Sequence, residues 1–215
     1  MKLSLSHSLI VLTFTSTLLL LGGCATSAKI EQATLNTQFD ALTGKSLAVH
    51  YAHETINHDQ LAKDGQAISQ FKSLSGLTEK VLRQGSVEVL TMDDKAQYAL
   101  DVKLEHPNER GAVFYDHQLA SSLAKSLLTL GLNGSSDYKI IANYKVTFTL
   151  RTQQGSPITT QSYVVEDAVD HQRSKVGFGS FDKMRELNAQ LLEKTYTEKL
   201  THFLNLASQS MTVKG

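Results

Sequence analysis

The chain has 215 residues, 41% of them hydrophobic, with no Trp and only two Pro, which suits a single globular domain. Lys plus Arg and Asp plus Glu balance at 21 each, and no Lys/Arg cluster offers an electrostatic footprint for phosphate, which argues against nucleic acid as a partner. The single Cys forms no internal disulfide and builds no zinc site by itself.

Chain order begins with an export signal. Met1-Lys2-Leu3 is a short positive stretch, and an apolar run, LIVLTFTSTLLLL, fills 9–21. About 13 residues are too few to span a hydrocarbon core that needs ~20, but they fit a signal peptide. The run ends in Leu21-Gly22-Gly23-Cys24, which resembles the lipobox of bacterial lipoproteins. An ordinary signal peptide with an incidental Cys is the plainer alternative. It is disfavoured because positive end, apolar run, small residues and Cys arrive in order.

The resemblance implies that 1–23 are removed and that Cys24 carries a covalent lipid, the only non-protein group expected. Removal takes away Lys2 alone, leaving 20 basic against 21 acidic residues, a formal charge of −1. One acyl chain is a marginal anchor, whereas two or three hold a protein on a membrane for long periods. Ala25 stands where an Asp would favour the inner membrane, which implies sorting to the outer membrane, facing the periplasm. The inner membrane and the cell surface stay open as alternatives.

Residues 24–45 show no sustained period and read as a tether, along which Ile30, Leu35, Phe39 and Leu42 are placed to dock onto the domain. The domain is expected over 46–215. Leu47, Val49 and Tyr51 mark a first strand. His50, His53, Glu54, His58 and Asp59 crowd around its end, a density that suggests metal binding. The spacing matches no metal motif, and His50 and His53 fall on opposite faces of a strand, so a polar loop rim is the preferred reading. Ile68, Phe71, Leu74, Leu77 and Val81 recur at helical spacing over 65–83, with Ser75-Gly76 as a point of bending. Val87 and Val89 mark a short strand, and Tyr98, Leu100, Val102 and Leu104 a longer one that ends at His106-Pro107.

Segment 119–132, LASSLAKSLLTLGL, places Leu119, Leu123, Leu127 and Leu130 on one helical face with a single charge, Lys125. Its plain reading is a short helix packed on the core. Its functional reading is an apolar patch that docks a partner or lies in the membrane interface. From Tyr138 to Leu150 every second residue is apolar, with Lys139, Asn143, Lys145, Thr147, Thr149 and Arg151 opposite. Gln153-Gln154-Gly155-Ser156 supplies a turn, and 158–168 returns as the hairpin partner. A long helix follows over 181–206, with Met184, Leu187, Leu191, Leu200, Phe203 and Leu204 on its apolar stripe and Ser180 or Asp182 as its cap.

Two Asp-His pairs, Asp116-His117 near Ser121 and Ser122, and Asp170-His171, invite a search for a nucleophile and base. No G-x-S-x-G elbow accompanies them. Gly177-Phe178-Gly179-Ser180 lacks a phosphate-cradling pattern and reads as a joint before the last helix. These elements give an α+β class: one mostly antiparallel sheet of about five strands with two helices packed on one face.

That layout resembles small envelope accessory lipoproteins, such as the lipopolysaccharide-assembly and ABC-transport auxiliary lipoproteins, over about 46–209. It implies a non-catalytic binding or scaffold component with a protein partner in the cell envelope. A carrier or sensor of an apolar or envelope-derived ligand is the alternative, and a periplasmic hydrolase is the third reading.

Overall fold

The computed structural model describes residues 28–32, 35–53, 65–91, 95–108, 110–118, 135–174 and 180–214. Among them the elements run β1 (Ser46–His53), α1 (Gly65–Gln84), β2 (Glu88–Leu90), β3 (Tyr98–Glu105), β4 (Val113–His117), β5 (Ser135–Thr152), β6 (Pro157–Ser174) and α2 (Ser180–Lys214). The fold is α+β: one curled, mixed sheet carries both helices on its inner face.

The alternation read in β5 sets the two faces. Ile140, Ala142, Tyr144, Val146, Phe148 and Leu150 are all buried, and Lys145 on the other face is exposed. β5 and β6 pair antiparallel along almost their full lengths, joined by a turn in which Gly155 takes φ +86°. A bulge between Leu150 and Arg151 sets Arg151 opposite Pro157, which stands first in its strand and so removes no interior ladder bond. At roughly 3.4 Å per residue the hairpin is about 60 Å long.

The other edge of β5 is shared. Its C-terminal half pairs with β3, and its N-terminal half pairs with β4. β4 was not expected from the sequence, and its physical cause is local. Val113 and Phe114 are consecutive and both buried, so five residues give no alternation to read. β1 lies between β2 and β3 and runs parallel to both; α1 carries the chain from β1 back to β2 as a β-α-β crossover.

The core lies between sheet and helices. Leu74, Val81 and Leu82 of α1 and Leu187, Leu191, Tyr196, Leu200, Phe203 and Leu204 of α2 are at most 1% exposed. Phe148 stacks on Phe203 with ring centroids 5.3 Å apart. Buried hydroxyls are paired. Tyr144 and Thr195 share a bond of 2.9 Å, Thr78 and Tyr196 one of 2.7 Å. Burial pushes both phenols up, Tyr196 well above the usual range, so they stay neutral partners.

The span expected as a tether is packed on the body from Ala28 onward. Phe39 and Leu42 are fully buried and Ile30 is 8% exposed. The backbone N–H of Ala41 donates to Ser208 Oγ at 2.9 Å, and Asn205 Nδ2 donates to the carbonyl of Asn36 at 3.2 Å. A buried Phe or Leu contributes about 1.5–3 kcal/mol, which holds this strap along α2.

Candidate functional site

Cys24 and the segment containing Leu119, Leu123, Leu127 and Leu130 lie outside the described residues. The flanks of that segment are described. The N–H of Gln118 donates to the carbonyl of Asp137 at 2.9 Å, so both flanks sit at the open end of the β5–β6 hairpin.

The same end brings together the two Asp-His pairs that are far apart in sequence. Across the register, His117, Tyr138 and His171 stand side by side, and Asp116, Lys139 and Asp170 occupy the neighbouring positions. Strand alternation sends successive side chains to opposite faces. Neither Asp therefore orients the imidazole next to it in sequence. Asp116 Oδ1 accepts instead from the backbone N–H of His117 at 3.2 Å, and the His117 ring packs on Tyr138 at 4.8 Å. His171 is buried, and its Nδ1 accepts from the Ala28 N–H at 3.5 Å. Burial, and then the Lys183 charge, lower its pKa, which keeps Nδ1 free to accept. Ser121 and Ser122 are outside the described residues.

Of the histidine-rich group after β1, only His50 and His53 belong to described backbone. The outward face of β1, β3 and β5 joins His50 to Asp101 and Arg151, a link that sequence reasoning missed. Arg151 grips Asp101 with two bonds, Nε to Oδ2 at 2.5 Å and Nη2 to Oδ1 at 2.6 Å. His50 Nδ1 stands 3.2 Å from both Asp101 Oδ1 and Arg151 Nη2. Nδ1 donates to the carboxylate when protonated and accepts from the guanidinium when not, so one atom alternates between two roles. The cluster is balanced in charge and about one-third exposed, so it ties three strands together at modest gain. Alternation marked Arg151 as outward, but its partner is set by long-range register.

Beyond it the open face is a polar surface. Glu105 sits between Lys103 and Lys145 at 3.3 and 3.4 Å, and both hold its carboxyl below the ordinary range. Hydroxyl rungs join Thr147 to Ser162 and Thr149 to Thr160. Val164 stands 66% exposed in the middle of β6.

The sheet's two edges differ. β2 closes one side with three residues, whereas β6 offers 18 residues that pair only with β5 among the described strands. Between α1, α2 and the N-terminal strap lies a cleft of about 430 Å³. Leu35 and Val81 are its only large apolar lining; Lys80, Glu193 and Lys194 make it polar, and the Lys80–Glu193 pair closes at 2.8 Å. Such walls do not suit an apolar ligand.

No protein-family model matches the chain, and no curated protein matches it. The chain has a distant similarity to several solved structures. A minor lipoprotein from Acinetobacter baumannii is 16% identical, with 77% of this chain and 93% of that one covered and a TM-score of 0.41. A Xanthomonas campestris protein of a domain family of unknown function is 8% identical, with coverage of 87% and 96% and a TM-score of 0.43. An uncharacterized lipoprotein from Nitrosomonas europaea is 10% identical, with coverage of 85% and 94% and a TM-score of 0.43.

Proposed function

We propose that this chain is a bacterial lipoprotein, anchored by lipid on Cys24 and acting as a non-catalytic binding component of a cell-envelope assembly. The sequence Leu21-Gly22-Gly23-Cys24 supports the anchor, and Ala25 favours the outer membrane and a periplasm-facing domain. The partner is a protein that presents an extended segment.

The observation that carries the binding role is the β6 edge. Along this 18-residue strand every second residue turns its backbone N–H and C=O away from β5, toward the side where a strand could be added. Edges of that length are usually blunted by charge, and β6 is blunted unevenly. Glu166 and Asp170 guard one half, while Thr160, Ser162 and Val164 leave the other uncharged and exposed.

The test is a photo-crosslinking side chain at Val164, compared with one at exposed Lys72 on α1, in cells that carry the full chain. One envelope protein captured from position 164 and not from 72 is the expected result. Equal capture from both positions, or none from 164, contradicts the edge as the binding surface.

A further inference from the structure

We infer that the open end of the β5–β6 hairpin, where His171 holds Ala28, faces the bilayer that carries the lipid on Cys24. This rests on the lipoprotein reading and adds an orientation to it. The observation is one of chain length. Ala28 is held by His171 Nδ1 at 3.5 Å and Ile30 behind it is buried, so the chain is fixed to the body at Ala28. Only four residue steps separate Ala28 from Cys24, and fully extended they span at most about 14 Å. A free tether ending at Lys45 would have reached roughly 70 Å.

The direction follows from register. His171 pairs with Tyr138, three residues from the end of β6, while Gly155 turns the hairpin at its other end. Sixteen residue steps separate His171 from Gly155 along the chain, or roughly 50 Å of strand. A link of about 14 Å keeps the held end that near the membrane, so the far end of a roughly 50 Å hairpin can come nearer only if the hairpin lies almost flat. Charge does not hold this end down by itself. Lys139 stands between Asp116 and Asp170 in the register, and Lys183 and Arg185 pair with Glu186 and Asp182. The contact is set by the short link to the lipid.

The experiment uses the full lipidated chain in phosphatidylethanolamine–phosphatidylglycerol vesicles with an acceptor dye on the headgroups. A donor dye is placed on Asp170→Cys or on Gln154→Cys, the thiol of Cys24 being blocked by its lipid. Energy transfer from position 170 is expected to exceed that from 154 by at least about twofold, given roughly 50 Å between them. A Gly-Ser insert of about 20 residues between Ser27 and Ala28 should bring the two values together. Equal transfer, or greater transfer from 154, in the uninserted lipidated chain overturns the orientation alone. A difference that survives the insert overturns the short link as its cause. An unmodified Cys24 thiol, read by mass before reconstitution, overturns the lipoprotein reading and this inference with it.

Discussion

Ser86 carries a left-handed backbone angle, φ 58°, two residues beyond the end of α1. It stands where helices usually end in glycine. Val87 N donates to the carbonyl of Leu82 at 3.0 Å and Ser86 N to that of Arg83 at 3.0 Å, the bond pair of a Schellman ending. A side chain in this conformation costs about 1–2 kcal/mol. Ser86→Gly is therefore expected to stabilise the domain by about 1 kcal/mol, read as a higher urea midpoint. The preceding residue behaves oppositely. A Cβ on Gly85 would stand 2.3 Å from the Phe39 ring and 2.9 Å from the Thr37 carbonyl, so Gly85→Ala must displace the strap. A loss of about 1–3 kcal/mol is expected. At His171 the folded pKa lies below the ordinary value, so the unfolded chain takes up the proton first. Its contribution is intact above about pH 6.5 and is lost as pH falls through that value toward the lowered folded pKa. Urea unfolding at about pH 7.5 and about pH 5 should show a smaller difference for His171→Gln than for the parent chain. An unchanged difference would show that His171 is not the group responsible.

At the scale of elements, two kinds of contact differ in weight. Phe203 is fully buried against Phe148 and Tyr196 neighbours the same ring, so Phe203→Ala should cost about 3–5 kcal/mol in unfolding experiments. Arg151→Ala breaks the open-face cluster with His50 and Asp101, and partial exposure limits its cost to about 1 kcal/mol. The reverse ranking would mean that the polar face, not the helix–sheet layer, holds the fold. The same distinction explains what could be read from the chain. Alternation in β5 and the stripe of α2 are one-dimensional signals produced by a single buried face, and both elements were legible. β6 was legible only to Ala168, because Asp167 and His171 occupy its inward positions and interrupt the apolar pattern. α2 continues past Leu206 through Ala207, Ser208 and Met211, which bury little apolar area each. The parallel placement of β1 and the joining of Arg151 to Asp101 depend on which strands meet, and no local period encodes that.

For the whole molecule, the strap changes how the anchor acts. Phe39 and Leu42 are single apolar residues in a polar segment, and their burial, Phe39 against Gly85, depends on surfaces far along the chain. With them in place, the proposed lipid on Cys24 would hold the domain close to the membrane, and under the proposed orientation the β6 edge would extend away from it. Among the described residues no helix is long and apolar enough to cross a membrane; the attachment proposed above is the lipid on Cys24, and it rests on Leu21-Gly22-Gly23-Cys24. The most direct measurement is the mass of the N-terminal peptide from protein taken from the envelope fraction. The account predicts a chain that begins at Cys24 and carries a diacylglyceryl thioether, and a Cys24→Ser chain that leaves the membrane fraction. A mature chain that begins elsewhere, or begins at Cys24 with a free thiol, would contradict it.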